Sequence, residues 1–327
     1  MASADAPEGD EAQDALIASL VPGVLAGERV AVARALNLVE DRRPEARPRI
    51  AALLRALGAG RPAGHRIGLT GPPGVGKSTL VSTLAAELRR RGYTVGVLAV
   101  DPSSRRSGGA LLGDRARIDT DPDDQGLFVR SLATAGELGG LARAAPAAVL
   151  VLAAAYDRVL VETVGVGQSE TDVEHVVDTV VFVVQPGSGD ALQFLKAGIM
   201  EIPDLLVVNK ADMGETAMRT RAELVGVLRV ARSAGLEHAP PDAHSEVVLV
   251  SAARREGIDR LAEALDAHRA AQTASGDLAE RRIRGQVEWG VRELVRRVGE
   301  EGVAREGGLM AVRARIDTRV RQGTGPL

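Results

Sequence analysis

Residues 71–78 read Gly-Pro-Pro-Gly-Val-Gly-Lys-Ser, the G-x-x-x-x-G-K-[ST] spacing of a loop that cradles phosphates. Gly71, Gly74 and Gly76 let the backbone turn its N–H groups inward at a helix start, where they meet phosphate oxygens. Pro72, Pro73 and Val75 fill the places between them. In that arrangement Lys77 reaches the β- and γ-phosphates and Ser78 offers its hydroxyl to Mg2+. Thr79 closes the binding segment with its side chain turned elsewhere. Far downstream stands Asn209-Lys210-Ala211-Asp212, an N-K-x-D pattern. The two carboxylate oxygens of Asp212 match the N1–H and N2–H2 donors of guanine. Adenine lacks that donor pair and would leave a carboxylate unpaired. Lys210 can lay its stem along the base plane. Ser251-Ala252-Ala253 has the form of a loop whose backbone N–H meets guanine O6. Together these segments imply GTP and GDP as ligands.

Two carboxylates fall at the ends of other strand-like runs, Asp101 within Asp101-Pro102-Ser103-Ser104 and Glu162 within Glu162-Thr163-Val164-Gly165. Oxygens at such places hold a hard cation directly or through water, so Ser78, Asp101 and Glu162 are candidate Mg2+ residues. The Gly165 N–H is placed to sense a γ-phosphate. A Gly-rich stretch from Ser107 to Arg115 follows Asp101 where a first switch loop belongs, and Asp114 would join the metal shell as it closes. Arg105, Arg106 and Arg115 would supply charge to a transition state, as an arginine finger does, or are simply solvated. The catalytic set is thus Lys77, Asp101, Glu162 and Gly165.

The chain has only three lysines, Lys77, Lys196 and Lys210, among 41 basic residues. Two of them sit in nucleotide motifs, where ammonium and guanidinium are not interchangeable, and this draws attention to Lys196. A net charge of −3 gives no electrostatic case for nucleic acid or an anionic membrane. With no cysteine in the chain, disulfides and thiolate metal sites are excluded. The acidic start lacks the basic and apolar regions of a signal peptide. The most apolar stretch, 144–156, is shorter than the ~20 residues a bilayer span needs. A cytoplasmic protein with no membrane partner is expected.

Aromatic residues make up 2% of the 327-residue chain, so its core must be aliphatic, which suits a parallel sheet covered by helices. Residues 1–14 are expected as a disordered tail. Residues 15–60 read as an N-terminal helical extension, with Leu16, Leu20, Val21, Leu25, Val32, Leu36 and Val39 at helical spacing. Residues 61–268 alternate apolar runs (67–69, 95–100, 159–161, 180–184, 205–208, 247–250) with helical patterns. That alternation predicts a doubly wound, mostly parallel α/β sheet with its ligand at the carboxyl ends of the strands. Residues 269–327 form a C-terminal helical arm that carries the only tryptophan, Trp289. Its stripe of Leu278, Ile283, Val287, Val291, Leu294 and Val298 packs on its own α/β domain or on a second subunit; the second is favoured because a complete domain precedes it.

Several strings resemble one family, the methylmalonyl-CoA mutase-associated GTPases (the MeaB/ArgK group, with the human methylmalonic aciduria type A protein as a relative). They are Val-Glu-Thr-Val-Gly-Val-Gly-Gln-Ser-Glu at 161–170, Asp101-Pro102-Ser103-Ser104 with Leu112-Gly113-Asp114-Arg115, and Pro186-Gly187-Ser188-Gly189-Asp190 with Gln193 and Lys196. The resemblance spans residues 16–298. It implies a P-loop NTPase fold of the signal-recognition-particle/MinD class, joined as a homodimer through the C-terminal arm. It also implies a GTP-hydrolysing chaperone for adenosylcobalamin-dependent methylmalonyl-CoA mutase that gates cofactor loading and protects the enzyme. On that likeness residues 186–196 are an extra switch, with Gln193 and Lys196 as its partner contacts. Four features depart from the family: Ala145-Pro146-Ala147 interrupts a helix, Arg254 and Arg255 make the guanine loop basic, Arg105-Arg106 replaces smaller or Pro-containing variants, and the chain after Arg313 is short.

The reaction expected is phosphoryl transfer to water, driven by positioning and charge neutralisation. No glutamine follows Gly165 at the spacing of small signalling GTPases; Gln168 stands three residues on. Turnover is therefore expected to be slow until a partner orders the switches. Four rivals remain. A metallochaperone GTPase would want Cys or clustered His. A signal-recognition GTPase would want a Met-rich domain. A transport-linked kinase is disfavoured by N-K-x-D, and a non-hydrolysing binding module would show no single-turnover hydrolysis.

Overall fold

The computed structural model describes residues 8–59, 63–101, 123–133, 142–163, 173–187, 203–233 and 247–327; residues 8–15, 101, 133 and 230–233 are described by backbone alone. Seven parallel strands form one sheet. In chain order they are β1 (His65–Thr70), β2 (Val95–Asp101), β3 (Leu127–Ala133), β4 (Arg158–Glu162), β5 (Thr179–Val184), β6 (Leu205–Val208) and β7 (Val248–Leu249). Their order across the sheet is β3-β2-β4-β1-β5-β6-β7. β1 and β5 are buried along their whole lengths, as a sheet with both faces covered requires.

Six of these strands fall on the expected apolar runs; β3 does not. Its Phe128, Val129 and Leu132 are interrupted by Arg130 and Ser131, so no continuous run marks it. Arg130 donates to Glu40 and Asn37 on a neighbouring helix, which explains a charged residue on an edge strand.

Three helices precede the sheet: α1 (Glu8–Leu25), α2 (Arg29–Val39) and α3 (Arg47–Gly58). The tail expected over 1–14 is thus partly helical, from Glu8 on. The acidic residues at 8–11 suit the positive end of a helix dipole. All three helices contact α5 (Ala145–Ala155). They cover this helix, which packs on β1, β2 and β4 beneath them. A helix enclosed on both sides must be apolar all round, and this one, with residues such as Val149, Val151 and Leu152 at 0% exposure, is. Pro146 does not interrupt it. It stands in the first turn, where a missing N–H costs nothing.

α4 (Lys77–Arg90) and α7 (Ile258–Ser275) build the core on the opposite face of the sheet, where Leu80, Leu84 and Leu261 meet Ile67 and Leu160. α6 (Glu215–Ser233) lies against β6 and β7.

The chain ends in α8 (Asp277–Arg305), broken at Gly299, and α9 (Gly308–Arg321). The stripe predicted on α8 meets α9: Val287 and Val291 bury with Val312, Ile316 and Val320. α8 also seats on the amino end of the sheet. A Cβ at Gly285 would lie 2.1 Å from the carbonyl oxygen of His175, so only glycine permits that approach.

The same contact is locked by charge. Asp178, at the start of β5, is fully buried, accepts the Arg66 backbone N–H at 2.9 Å and pairs with Arg282 of α8 at 2.7 Å. Burial pushes its carboxyl up, but the Arg282 hydrogen bonds, the Arg66 guanidinium and the Arg66 N–H outweigh that and hold it at about 2. Beside it His65, Thr179 and His268 form a chain of contacts at 2.8 and 2.9 Å, and Asp204 holds Arg281 at 2.8 Å. Burial lowers the proton affinity of both imidazoles.

Candidate nucleotide site

At the carboxyl end of the sheet β1 runs into the loop 71–76 and β4 ends at Glu162, while β6 and β7 deliver Asn209 and Ser251. The structure therefore brings the motifs that lie 130 residues and more apart in the sequence to one edge. Asp101 also ends a strand there, with only its backbone described. Asp114, Gly165, Gln193 and Lys196 lie outside the described residues, as do Arg105, Arg106, Arg115 and Gln168.

The phosphate loop ends in Gly76, at φ 92°, ψ 30° as the N-cap of α4. A side chain there would be strained by the backbone, and its Cβ would lie 2.6 Å from the Asn209 amide nitrogen. Lys77 opens the helix and is 7% exposed. Its ammonium donates to the carbonyls of Gly71 at 2.8 Å and Pro72 at 3.1 Å, so it is held over the loop that would carry the phosphates. Ser78 Oγ donates to Glu162 Oε1 at 2.6 Å. The hydroxyl at a helix start and the carboxylate at a strand end are thus adjacent, as the sequence reading requires of a shared Mg2+ environment. These hard oxygens fit Mg2+, which takes one or two protein ligands and keeps water and phosphate for the rest. Thr79 is exposed.

The Asn209–Asp212 segment is tied directly to the 71–76 loop. Asn209, 2% exposed, donates to the carbonyl of Val75 at 2.9 Å. Lys210 donates to the carbonyl of Gly74 at 2.9 Å and to Gln185 Oε1 at 2.7 Å. Lys210 sits at φ 58°, ψ 40°, a left-handed conformation uncommon for a side-chain-bearing residue and often found at functional sites. Asp212 is exposed and accepts the Ser251 hydroxyl at 2.6 Å. That hydrogen bond first, then the nearby Arg254 and Lys210 charges, lower the Asp212 pKa and keep the carboxylate an acceptor. The Ala252 N–H, expected to meet guanine O6, donates to Asn209 Oδ1 at 3.0 Å, which joins the 251–253 loop to the N-K-x-D turn.

Two contributors escaped the sequence reading. Gln185 follows β5 and holds Lys210; a polar residue just beyond an apolar strand and before Pro186-Gly187 was the available signal. Thr220 of α6 is 5% exposed and accepts the Gly187 N–H at 3.3 Å, fixing the start of the segment compared above with an extra switch.

The family model described as "Methylmalonyl Co-A mutase-associated GTPase MeaB" matches residues 32–305. A probable GTPase of Mycobacterium tuberculosis (strain ATCC 25618 / H37Rv) is 39% identical over 314 residues, covering 95% of this chain and 91% of its own. The mitochondrial methylmalonic aciduria type A homolog of Mus musculus is 38% identical over 276 residues, covering 80% of this chain and 65% of its own. A solved structure described as an LAO/AO transport system kinase superposes with TM-score 0.67 at 30% identity, covering 95% of this chain and 97% of that one.

Proposed function

The chain belongs to the methylmalonyl-CoA mutase-associated GTPase family, and on that premise we propose that it is a GTP-hydrolysing chaperone of adenosylcobalamin-dependent methylmalonyl-CoA mutase. It is a GTPase with a P-loop fold. The observation that carries the finer reading is the bonded unit of Asn209, Lys210, Val75 and Gly74. Base recognition and phosphate recognition would then share one hydrogen-bonded unit, so a conformational signal can be keyed to which guanine nucleotide is bound.

In this reading Asp212, steadied by Ser251, accepts the two guanine donors. The backbone N–H groups of 71–77 and the Lys77 ammonium neutralise the phosphates. Mg2+, where bound, would be held by Ser78 and Glu162 and would add charge neutralisation at the phosphate oxygens. Glu162 and Ser78 fix each other's orientation through their hydrogen bond. Asp101, Asp114 and Gly165 take their roles from the sequence, as do Gln193 and Lys196 as contacts to the mutase. Only the triphosphate offers γ-phosphate contacts, so GTP and GDP bias the switch segments differently. The α8–α9 pair would join two copies; Leu309 at 49% and Met310 at 79% exposure offer apolar surface for this.

Steady-state GTP hydrolysis, measured with and without methylmalonyl-CoA mutase from the same source and with ATP as control, tests the proposal. Strong stimulation that is lost in Lys196→Ala supports it. GTP-specific turnover indifferent to the mutase would leave the GTPase and remove its client.

A further inference from the structure

A large recess lies away from the nucleotide site, where the N-terminal helices face the C-terminal pair. It encloses about 880 Å3 between α2, α3 and the start of α5 on one side and α8, α9 and the chain end on the other. That is within the usual range for small-molecule pockets, roughly 300–1,000 Å3. It contains no residue of the phosphate loop or of the guanine-reading turns.

Its lining is apolar with an excess of guanidinium. Six arginines and four acidic residues border it, as does Leu327, whose backbone oxygen accepts from Arg319. Every one of those acids already has an arginine partner: Glu40 pairs with Arg130, Asp41 with Arg43, Glu293 with Arg143 and Glu306 with Arg315. Arg42, Arg47 and Arg297 have no acidic partner among the described residues. Arg47 is the most telling of the three. Its Nε is buried and without a hydrogen-bond partner, and a buried donor left unsatisfied is costly. Guanidinium groups are suited to fork onto carboxylate, phosphate or sulfonate oxygens. Between the charged groups stand Trp289, Leu294 and Ile316, a flat aromatic surface with aliphatic neighbours.

We propose that this recess is a binding site for an amphipathic organic anion, its acidic head on Arg47 and Arg297 and its apolar body against Trp289. Arg47 belongs to α3 and Arg297 to α8. A bound anion therefore bridges the N-terminal helices and the C-terminal pair, and it stabilises their mutual packing by mass action.

Trp289 is the chain's only tryptophan, so energy transfer from it is strongest for probe bound in this recess and falls steeply with distance, and the recess variants assign the signal. The full-length protein is titrated with 8-anilinonaphthalene-1-sulfonate, an aromatic body carrying one sulfonate, while tryptophan-sensitised probe emission is followed. Saturable transfer is expected, weakened about tenfold in Arg47→Gln and in Arg297→Gln, the loss of one charge-assisted hydrogen bond. The uncharged twin N-phenyl-1-naphthylamine should bind at least tenfold more weakly. Ala51→Phe, which narrows the recess, should weaken transfer. Both arginine variants should keep wild-type GTP hydrolysis, which shows that they fold. Equal binding of the two probes, or unchanged affinity in both arginine variants, overturns the proposal. So does loss of probe binding in step with self-association, which would give the recess to a second copy of the chain.

Discussion

The two ends of the sheet hold polar residues in different ways. At the amino end His65, Arg66, Asp178, Thr179, His268 and Gln272 are all buried, and their partners come from α7 and α8 of the same chain. At the carboxyl end the anchors are equally buried, Lys77 at 7% and Asn209 at 2% exposure, but they sit where α4 and β6 meet loops. Gly74 and Asp212 beside them are exposed. Among the described residues, helices close one end, while the other carries loops built from glycine and left-handed backbone. The first end uses its charges to hold the C-terminal helices; the second is where the proposed nucleotide would be held. A buried charged cluster is therefore no guide to function unless the backbone around it leaves something to reach.

That contrast is open to direct attack. The largest effect is expected from Asp178→Ala, which strips the counter-charge from Arg66 and Arg282. Breaking one side of a buried pair costs about 3–5 kcal/mol, to be read as a lowered urea midpoint. Nucleotide affinity of the folded fraction should change little; a large affinity loss would merge the two ends into one functional unit.

Lys77→Ala should do the reverse. Charge-assisted hydrogen bonds to phosphate are each worth about 1.5–3 kcal/mol. Affinity for GTP, read by isothermal titration calorimetry, should fall on the order of 100-fold while the unfolding midpoint stays close to wild type.

Acid should reach the amino end first. His65 and His268 titrate below their usual range because burial disfavours the imidazolium. Their contribution to stability is complete above the unfolded value near pH ~6.5 and declines as pH falls below it. Asp178, held at about 2, adds roughly 2 kcal/mol above its unfolded value near ~3.9, lost as pH falls from there. Melting temperature should therefore begin to drop below pH ~6.5, and His268→Gln should flatten that first slope. A flat profile down to pH ~4.5 would show that the imidazoles are not held neutral.

The smallest effect sharpens the carboxyl end. Gln185→Leu removes one acceptor from Lys210 and should weaken guanine-nucleotide binding by about 1 kcal/mol, roughly fivefold. Gln185→Glu keeps an acceptor and should restore it. Equal loss in both would mean that Gln185 acts through local packing alone.

The sequence made the carboxyl end legible because its requirements are local. Gly76 must be glycine for its backbone and for its approach to Asn209, and Lys77 and Ser78 follow at fixed spacing. Asn209 to Asp212 likewise occupy one turn. The amino end was opaque because its partners are brought together only by the fold: Asp178 and Arg282 are 104 residues apart, and His65 and Thr179 are 114 apart. β3 was missed for a related reason, since Arg130 breaks its apolar run to meet a helix that is distant in the chain. Pro146 looked like a break and proved to be a start, a distinction that depends on where the helix begins. The C-terminal stripe was legible as a stripe. That α9 covers much of it could not be read from α8 alone.

The central claim is that Asp212, steadied by Ser251, reads guanine at a site continuous with the phosphate loop. It is tested most directly by comparing hydrolysis of GTP, XTP and ATP by the wild-type protein and by Asp212→Asn. Xanthine replaces the N2 donor with an oxygen, so an Asn amide suits it where a carboxylate does not. The wild type should prefer GTP, and Asp212→Asn should reverse the order in favour of XTP, each by on the order of 100-fold. A variant that keeps its preference for GTP would contradict the assignment.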